Sequence, residues 1–482
     1  MSPNSSWWRL KTSVGFDLQA GAERINFRRT KQTMKLMRSV FFRPTLALFL
    51  SCFAAWPAQA AEAVKIDTGD TAWILVSTAL VLFMMIPGLA LFYAGLVRAR
   101  NVLSILMHCF TLTCVLSLVW LAIGYSLAFS DGSPLLGGTS KMFLNGVASD
   151  TVRTGLLGGK MSTQTIPEVV FFAFQMMFFL ITPGLFIGAF AERMKFKAML
   201  IFSVVWSLAV YVPICYGVWH NGATKEAGTL FGLTGVIDLA GGIVVHITAG
   251  VAALVACIVV GPRSGFPLSP MMPHSLPLTV TGAAMLWVGW FGFNGGSQLA
   301  ANGAAAMTVV VTHLSAATAS IVWMLIEWRI LGKPSVLGIA TGCIAGLAAI
   351  TPASGSVGPV GALCIGTVSA VLCWLACAKL KKRFGYDDSL DVFGVHGVGG
   401  LVGTILVAVV GSKSFPGGLG DFAIGSQLVT QSLAALYTIL LSGLASFVIL
   451  KALDATIGLR VSETDQRQGL DLVEHGESGY NH

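Results

Sequence analysis

Eleven long apolar runs constrain this chain more than any other feature of its sequence. An apolar run of about 17–25 residues is long enough to cross the ~30 Å hydrocarbon core of a bilayer as a helix. Only 11% of the 482 residues are charged, against about 25% in soluble proteins. We therefore expect an all-α integral membrane protein with eleven transmembrane helices. The runs lie at about 71–97, 101–129, 166–191, 196–220, 236–261, 276–297, 303–331, 335–351, 358–379, 391–411 and 427–456.

The net charge of +8 is concentrated at the start of the chain. Residues 1–60 contain nine basic and two acidic residues, whereas the remaining 422 residues contain 21 basic and 20 acidic ones. A nucleic-acid binder needs a basic face, and so few dispersed charges cannot provide one. Nucleic acid is therefore excluded as a partner.

Residues 34–60 have the features of a secretory signal peptide. A charged segment is followed by an apolar run at 44–56 that is too short to span a bilayer, and Ala58-Gln59-Ala60 is typical of a cleavage site. The alternative is an uncleaved first helix. We interpret residues 1–33, which are polar, as a non-native or disordered extension. A signal peptide indicates export to the outer face of a bacterial inner membrane.

Basic residues between the apolar runs predict the orientation of the membrane domain, residues 61–456. An odd number of helices puts the two ends on opposite sides, and cytoplasmic loops are enriched in Lys and Arg. With the N-terminus outside, twelve basic residues lie in inner loops and five in outer loops. We therefore predict an N-out, C-in topology with a cytoplasmic tail at 457–482.

A short glycine pattern suggests an internal repeat. The pattern G-x-x-x-F-x-x-G occurs at Gly88 to Gly95 and again at Gly289 to Gly296, five predicted helices later. An odd repeat length inverts the second copy, as in transporters whose pathway follows the repeat interface. The predicted fold is an inverted five-helix repeat plus a final helix. Close packing of helices is the alternative explanation of the glycines.

Two histidines occupy matching positions in oppositely directed runs. His246 lies eight residues after Asp238, and His396 lies eight residues after Asp388. Eight helical residues correspond to a depth of roughly 12 Å, so the two imidazoles approach the centre of the bilayer from opposite faces. Ionisable residues at that depth are rare and usually functional. The alternative is two unrelated, locally hydrogen-bonded core histidines.

Several motifs around these positions resemble those of the bacterial ammonium transporter family, and the resemblance runs collinearly from about Thr71 to Tyr480. The motifs are Ala173-Phe174-Gln175-x-x-Phe178, Val212-Pro213-Ile214 with Trp219, Asp238-Leu-Ala-Gly241-Gly242-Ile-Val-Val-His246, Gly289-Trp290-Phe291-Gly292-Phe293-Asn294-Gly-Gly-Ser297, Thr351-Pro352-Ala353 and Asp391-Val-Phe-Gly-Val-His396-Gly-Val-Gly. The resemblance implies a homotrimer with one pore in each subunit, which transports ammonium and methylammonium.

The resemblance also assigns roles to aromatic residues of the outer half. It implies that Trp219, Ser297 and Phe174 bind the substrate, and that Phe174, Phe178 and Phe293 form a hydrophobic gate. An aromatic face attracts a cation, and a serine hydroxyl accepts an N–H. This residue set therefore suits an ion that donates hydrogen bonds.

The same resemblance makes His246 and His396 the twin histidines of the pore and Asp238 a structural carboxylate near its mouth. An intact ion is costly in an apolar pore, so we expect passage as neutral ammonia, with the proton carried separately. No enzymatic activity, cofactor or metal is implied. Two histidines without further carboxylate or thiolate ligands make a membrane metalloenzyme a poor alternative.

The tail resembles the family's cytoplasmic tail, which couples subunits and docks a PII signal-transduction protein. Gln468 stands where family members often carry an acid. Two alternative functions remain at this stage. One is a neutral NH3 or CO2 gas channel of the Rhesus type, and the other is an ammonium sensor.

Overall fold

The computed structural model describes residues 66–157, 160–220, 233 and 235–480. The predicted signal peptide at 34–60 and the extension at 1–33 lie outside the described residues.

The described part of the chain contains ten helices that are long and apolar enough to cross a membrane and an eleventh, shorter apolar helix. Each predicted run overlaps one of them, and the chain is a multi-pass membrane protein. The helices are α1 (Thr68–Leu96), α2 (Ala99–Phe129), α3 (Glu168–Phe190), α4 (Phe196–Trp219), α5 (Gly242–Val260), α6 (Leu276–Gly296), α7 (Gly303–Leu331), α8 (Val336–Ile350), α9 (Pro359–Phe384), α10 (Phe393–Val410) and α11 (Ile424–Thr456).

Helix α8 is the short one, and it ends inside the protein. Its 15 residues span roughly 22 Å, less than the ~30 Å hydrocarbon core. The turn that follows contains Thr351, Ala353 and Ser354, all of which are buried. Irregular backbone at membrane depth is tolerated where protein surrounds it, and here α5 supplies part of that surrounding, since Gly242 packs against Pro352.

The membrane domain is helical as predicted, and one two-stranded hairpin lies between α2 and α3. Strand β1 (Val152–Leu157) pairs antiparallel with β2 (Lys160–Pro167). The sequence signal was present, because β-branched residues flank a Gly-Gly pair, a pattern typical of hairpins. We call the end of the bundle that carries this hairpin, Trp219 and Ser297 the Trp219 end. The opposite end, which carries residues 457–480, is the tail end.

The repeated glycines let α1 and α6 pack closely side by side. A Cβ at Gly88 would meet the backbone of Leu286, and one at Gly289 would meet Met84. Positions further along α1 contact positions progressively earlier in α6, so the two helices run antiparallel. The glycine pattern therefore serves close packing, and it does so between the two helices that carry it.

Helices α5 and α10 cross at the centre with reciprocal contacts. Gly250 approaches the backbone of Gly397, while Gly400 approaches the Cβ of His246. Each of these two glycines comes four residues after a histidine, at His246 and His396. Each histidine lies in a π-helical turn, Gly242–Ile247 or Phe393–Gly397. Such turns are rare and occur frequently at functional sites.

Helix α5 begins later than its apolar run predicts, at Gly242 rather than at residue 236. The chain reaches it through Gly241, whose φ of 113° is accessible mainly to glycine. The extended segment before it brings Asp238 back over the start of the helix.

Candidate functional site

Asp238 fixes the start of α5 with four hydrogen bonds. Its Oδ1 accepts the N–H of Gly241 at 2.9 Å and of Gly242 at 2.5 Å, and its Oδ2 accepts those of Ile243 and Val244 at 2.8 and 3.0 Å. Burial raises the pKa of Asp238 to about 6, and these bonds oppose that shift. The carboxylate thus satisfies the donors that a helix start leaves unpaired.

Trp219 is attached to the same segment. Its indole Nε1–H donates to the carbonyl of Asp238 at 2.7 Å, and its ring meets the edge of Phe178 with centroids 5.6 Å apart. The segment before α5 therefore orients an indole at the Trp219 end as well as capping the helix.

Behind Trp219 the aromatic rings form a continuous buried layer. Phe178 stacks on Phe293 with centroids 4.4 Å apart and contacts Phe174 edge-on at 5.0 Å. All three phenylalanines are at most 1% exposed. The structure thus brings together the three residues that sequence analysis assigned to a gate.

Ser297 lies immediately after α6, at the rim of this layer. Its hydroxyl donates to the carbonyl of Phe293 at 2.8 Å, which leaves the hydroxyl oxygen able to accept a further hydrogen bond. The neighbouring Gly296 packs against the Phe174 ring. Trp219 and Ser297 thus join one cluster through the stacked rings of Phe178 and Phe293.

The two predicted pore histidines lie directly behind the aromatic layer. His246 and His396 place their Nδ1 atoms 3.3 Å apart, with nearly parallel rings. Phe293 lies 6.2 Å from the His246 ring on one side. Among the described residues, His246 Nε2 has no hydrogen-bond partner. If the Nδ1 of one ring donates its N–H to the Nδ1 of the other, the first ring has an unprotonated Nε2 and the second ring has a protonated Nε2.

Two cavities meet at this pair. The first, of about 10 Å³, is lined by His246, His396 and apolar side chains. A cavity of roughly 10–15 Å³ holds one water-sized molecule. The second, of about 310 Å³, opens towards the tail end and is lined by His396 together with Arg263, Lys381 and Asp391.

Two aromatic residues were missed as site residues by the sequence analysis. Trp290 stacks on His246 at 5.6 Å and donates its indole N–H to Thr351 Oγ1 at 2.9 Å. Phe92 lines both cavities. The signal was available, because Phe92 and Phe293 are the phenylalanines of the two G-x-x-x-F-x-x-G copies.

On the tail end, Asp388 occupies the position that matches Asp238, but its bonding is sparser. Its Oδ2 accepts the N–H of Phe393 at 2.8 Å, while Oδ1 is buried without a partner among the described residues. Burial, followed by the charge of Asp391, raises the pKa of Asp388 to about 6.

The tail is packed against the loops of its own chain. Leu459 and Val461 exchange backbone hydrogen bonds with Lys195 and Arg193. Further on, the Asp471 carboxylate accepts the N–H of Leu103 and Ser104 at the start of α2. Two short helices follow Val461, α12 (Glu463–Gln468) and α13 (Leu470–His475), and Asp471 lies in the second.

In the described part of the chain, no group of three or more His, Cys, Asp or Glu side chains could hold a metal ion. The fold and the site together define a multi-pass membrane protein in which a buried layer of aromatic side chains adjoins two central imidazoles.

Comparison with known proteins identifies the family. The model of the Ammonium Transporter Family matches residues 72–480, and the chain belongs to this family. An ammonium transporter of Aquifex aeolicus is 41% identical over 453 residues, covering 92% of this chain and 100% of the relative. One from Bacillus subtilis is 42% identical over 415 residues, covering 86% and 98%. The chain is accordingly a transporter rather than an enzyme.

Solved structures agree with this assignment. A structure titled Sensor Amt Protein superposes with a TM-score of 0.75 at 28% identity, covering 84% of this chain and 98% of that one. Mep2 of Candida albicans superposes with a TM-score of 0.72 at 32% identity, covering 83% and 88%.

Proposed function

We propose that this protein binds ammonium or methylammonium at the Trp219 end, where the ion gives one proton to water. The neutral amine then passes His246 and His396, and the proton is carried separately. The observation that carries the proposal is the position of the histidine pair. It lies behind a closed layer of phenylalanines and beside a cavity large enough for one small molecule. Membership of the ammonium transporter family supports the choice of substrate.

Recognition at the Trp219 end uses two properties of the ammonium ion. The positive charge is attracted to the aromatic faces of Trp219 and Phe174 by a cation–π interaction worth about 0.5–2 kcal/mol. The N–H groups donate to the hydroxyl oxygen of Ser297, which already donates its own proton to a carbonyl. Potassium shares the charge but has no N–H to donate, so Ser297 favours ammonium.

The layer formed by Phe174, Phe178 and Phe293 acts as the gate. Its rings are in contact and buried, so an ion would lose its hydration there without gaining a counter-charge, which costs several kcal/mol. Loss of a proton before the layer avoids this cost. Phe92, the matching residue of the other repeat copy, forms the corresponding apolar boundary on the tail side of the histidines.

The histidine pair offers ammonia both kinds of hydrogen-bonding group. With one N–H shared between the Nδ1 atoms, one ring has an accepting Nε2 and the other a donating Nε2. A lone buried imidazole would provide only one of these. The pair therefore replaces hydrogen bonds that a small polar molecule loses when it leaves water.

The architecture we propose has eleven membrane helices, with the Trp219 end outside and the tail end in the cytoplasm of a bacterial inner membrane. The reciprocal glycine contacts between α5 and α10 support an inverted five-helix repeat plus a final helix. Asp238 is structural, as its four backbone bonds suggest.

We further propose that the protein is a homotrimer whose tail, residues 457–482, couples subunits and docks a PII signal-transduction protein. The attachment of the tail to the start of α2 through Asp471 supports a tail that acts on the membrane domain.

The test is transport in proteoliposomes, with methylammonium flux and charge movement recorded together. Replacing Ser297 by Ala should raise the half-saturating concentration by at least about tenfold, since a hydrogen bond to a charged group is worth about 1.5–3 kcal/mol. The exposed Ser426→Ala at the start of α11 is the matched control. An unchanged half-saturating concentration in Ser297→Ala would contradict recognition at this site.

The role of the histidines in carrying the proton needs a second variant. If they relay the proton, His246→Ala should abolish current while flux of the neutral amine persists, and His313→Ala on the exposed face of α7 should change neither. Unchanged current per transported molecule would exclude the relay.

The same recordings separate the alternatives. A neutral gas channel of the Rhesus type would show flux without charge movement in the unmodified protein. A sensor, a possibility raised by the similarity to Sensor Amt Protein, would bind methylammonium without net flux.

A further inference from the structure

A buried arginine joins the hairpin to the Trp219 end of the bundle. Arg153, in β1, is only 6% exposed. Its guanidinium lies between the rings of Phe129 and Phe171, 4.9 and 5.0 Å from their centroids. Burying a charge is costly unless other groups compensate it, and this aromatic pair supplies part of that compensation.

The carboxylates of Glu168 and Asp131 also favour the charged guanidinium, and a further contact comes from His220, the residue that follows Trp219. Arg153 Nη2 lies 3.3 Å from His220 Nδ1, and His220 is only 2% exposed. Burial, reinforced by the charges of Arg153 and Lys141, lowers the pKa of His220 to about 3. The imidazole is therefore neutral near pH 7, and its Nδ1 can accept the N–H of the arginine.

The His220 ring is also held from the other side. It stacks on Tyr216 with centroids 4.4 Å apart and an interplanar angle of 11°. Its backbone N–H donates to the Tyr216 carbonyl at 3.1 Å. Because the chain leaves the helical conformation at His220, with ψ of 137°, these contacts set the direction in which α4 ends.

Trp219 is consequently held from two directions. Its indole N–H is bonded to the Asp238 carbonyl, and its backbone is joined to a side chain locked by Arg153. We propose that Arg153 and His220 are positioning residues that set the orientation of Trp219 for binding the ammonium ion, without touching the ion themselves. This inference rests on the proposed function, in which Trp219 forms part of the recognition site.

The hairpin extends this support to the other side of the site. In β2, Thr165 Oγ1 donates to Asp70 Oδ2 at 2.5 Å. The other oxygen of Asp70 accepts the N–H of Ala301 at 2.7 Å, four residues beyond Ser297. One hairpin therefore links the segments that carry Trp219 and Ser297, and it is suited to hold the two at a constant separation.

The experiment measures KM and maximal rate for methylammonium uptake in proteoliposomes. We expect His220→Ala to raise KM about threefold to tenfold at unchanged maximal rate, less than the roughly 30-fold limit set by loss of a strong cation–π contact. His220→Asn should restore KM, since its amide oxygen can accept the Arg153 N–H in place of Nδ1. Arg153→Lys should behave like His220→Ala because a lysine lacks the planar fork.

The matched control for loss of a cation at the same end is Lys413→Ala, whose ion pair with Asp421 is exposed. We expect no change in KM for this variant. If Arg153→Ala, which removes a positive charge as Lys413→Ala does, and Lys413→Ala raise KM equally, the effect is one of surface charge and the inference is wrong.

Double variants separate this inference from the proposed function. If His220 acts through Trp219, adding His220→Ala to Trp219→Leu should not change KM further. Additive effects would overturn the positioning role. If Trp219→Leu alone leaves KM unchanged, the proposed recognition site fails. If Trp219→Leu raises KM while His220→Ala does not, only the positioning inference fails.

Discussion

The two carboxylates that precede the pore histidines occupy matching places but are bonded very differently. Asp238 accepts four backbone N–H groups and holds Trp219 through its carbonyl. Asp388 accepts one N–H from Phe393, and its second oxygen has no partner among the described residues. The two segments therefore match in the spacing of carboxylate and histidine and in the π-helical turn around each histidine, but not in their polar bonding.

The two ends also differ in how much open space they contain. On the Trp219 side the aromatic rings are in contact and close the pathway. On the tail side a cavity of about 310 Å³ reaches His396. Under the proposed function, the contacting rings of the Trp219 end suit selection of an ion, whereas the cavity towards the tail end suits release of the transported molecule.

The largest effect expected from this comparison is in the matched pair Asp238→Asn and Asp388→Asn. An asparagine at 238 has one accepting oxygen and turns two donors towards backbone N–H groups. We expect the free energy of unfolding to fall by at least about 3 kcal/mol, since each hydrogen bond to a charged group contributes about 1.5–3 kcal/mol. We also expect transport to be lost. Thermal unfolding in detergent measures the stability, and proteoliposome flux measures the transport.

Asp388→Asn should be much milder. The amide oxygen can keep the bond to Phe393, and the amide nitrogen replaces an oxygen that has no partner among the described residues. If both variants lowered the melting temperature equally, the number of hydrogen bonds that each carboxylate accepts would not determine how much it stabilises the fold.

The second comparison is between the closed aromatic layer and the open cavity. Phe178 contacts Phe174, Phe293 and Trp219, so Phe178→Ala should open a route from the Trp219 end to His246. We expect potassium or proton leak through this variant in proteoliposomes, at a stability cost of about 3–5 kcal/mol for the lost ring.

Phe92→Ala is the matched variant on the tail side of the histidines. It enlarges a region that already adjoins a cavity, so we expect no ion leak. Equal leak through both variants would mean that the exclusion of ions is shared along the whole pathway.

These contrasts also show how far the sequence could lead. Hydrophobicity alone located the ten membrane-length helices and the shorter α8 of the described residues, because a bilayer requires long apolar helices. The histidine spacing predicted two imidazoles approaching each other, and their Nδ1 atoms lie 3.3 Å apart. The contact of Arg153 with His220, by contrast, joins positions 67 residues apart. No local pattern encodes such a contact. Likewise, the unequal bonding of Asp238 and Asp388 depends on how each preceding segment folds back over its helix.

The smallest expected effect is a pH dependence that belongs to Asp388. A carboxyl group has a pKa of about 4 in an unfolded chain, while burial and the charge of Asp391 raise the pKa of Asp388 to about 6. Between these values the folded protein keeps a proton that the unfolded chain has lost, so this group makes folding less favourable as pH rises. Its contribution over the window is at most about 2–3 kcal/mol.

Asp388→Asn removes this titration while keeping the shape of the side chain. The melting temperature of the variant relative to the unmodified protein should therefore rise from about pH 4 to about pH 6 and remain constant above it. The titration of Asp238 is present in both proteins and cancels in the difference. A difference that stays flat across this range would mean that the pKa of Asp388 in the folded protein is not raised, and that its buried carboxylate, despite its single backbone bond, is compensated by its surroundings.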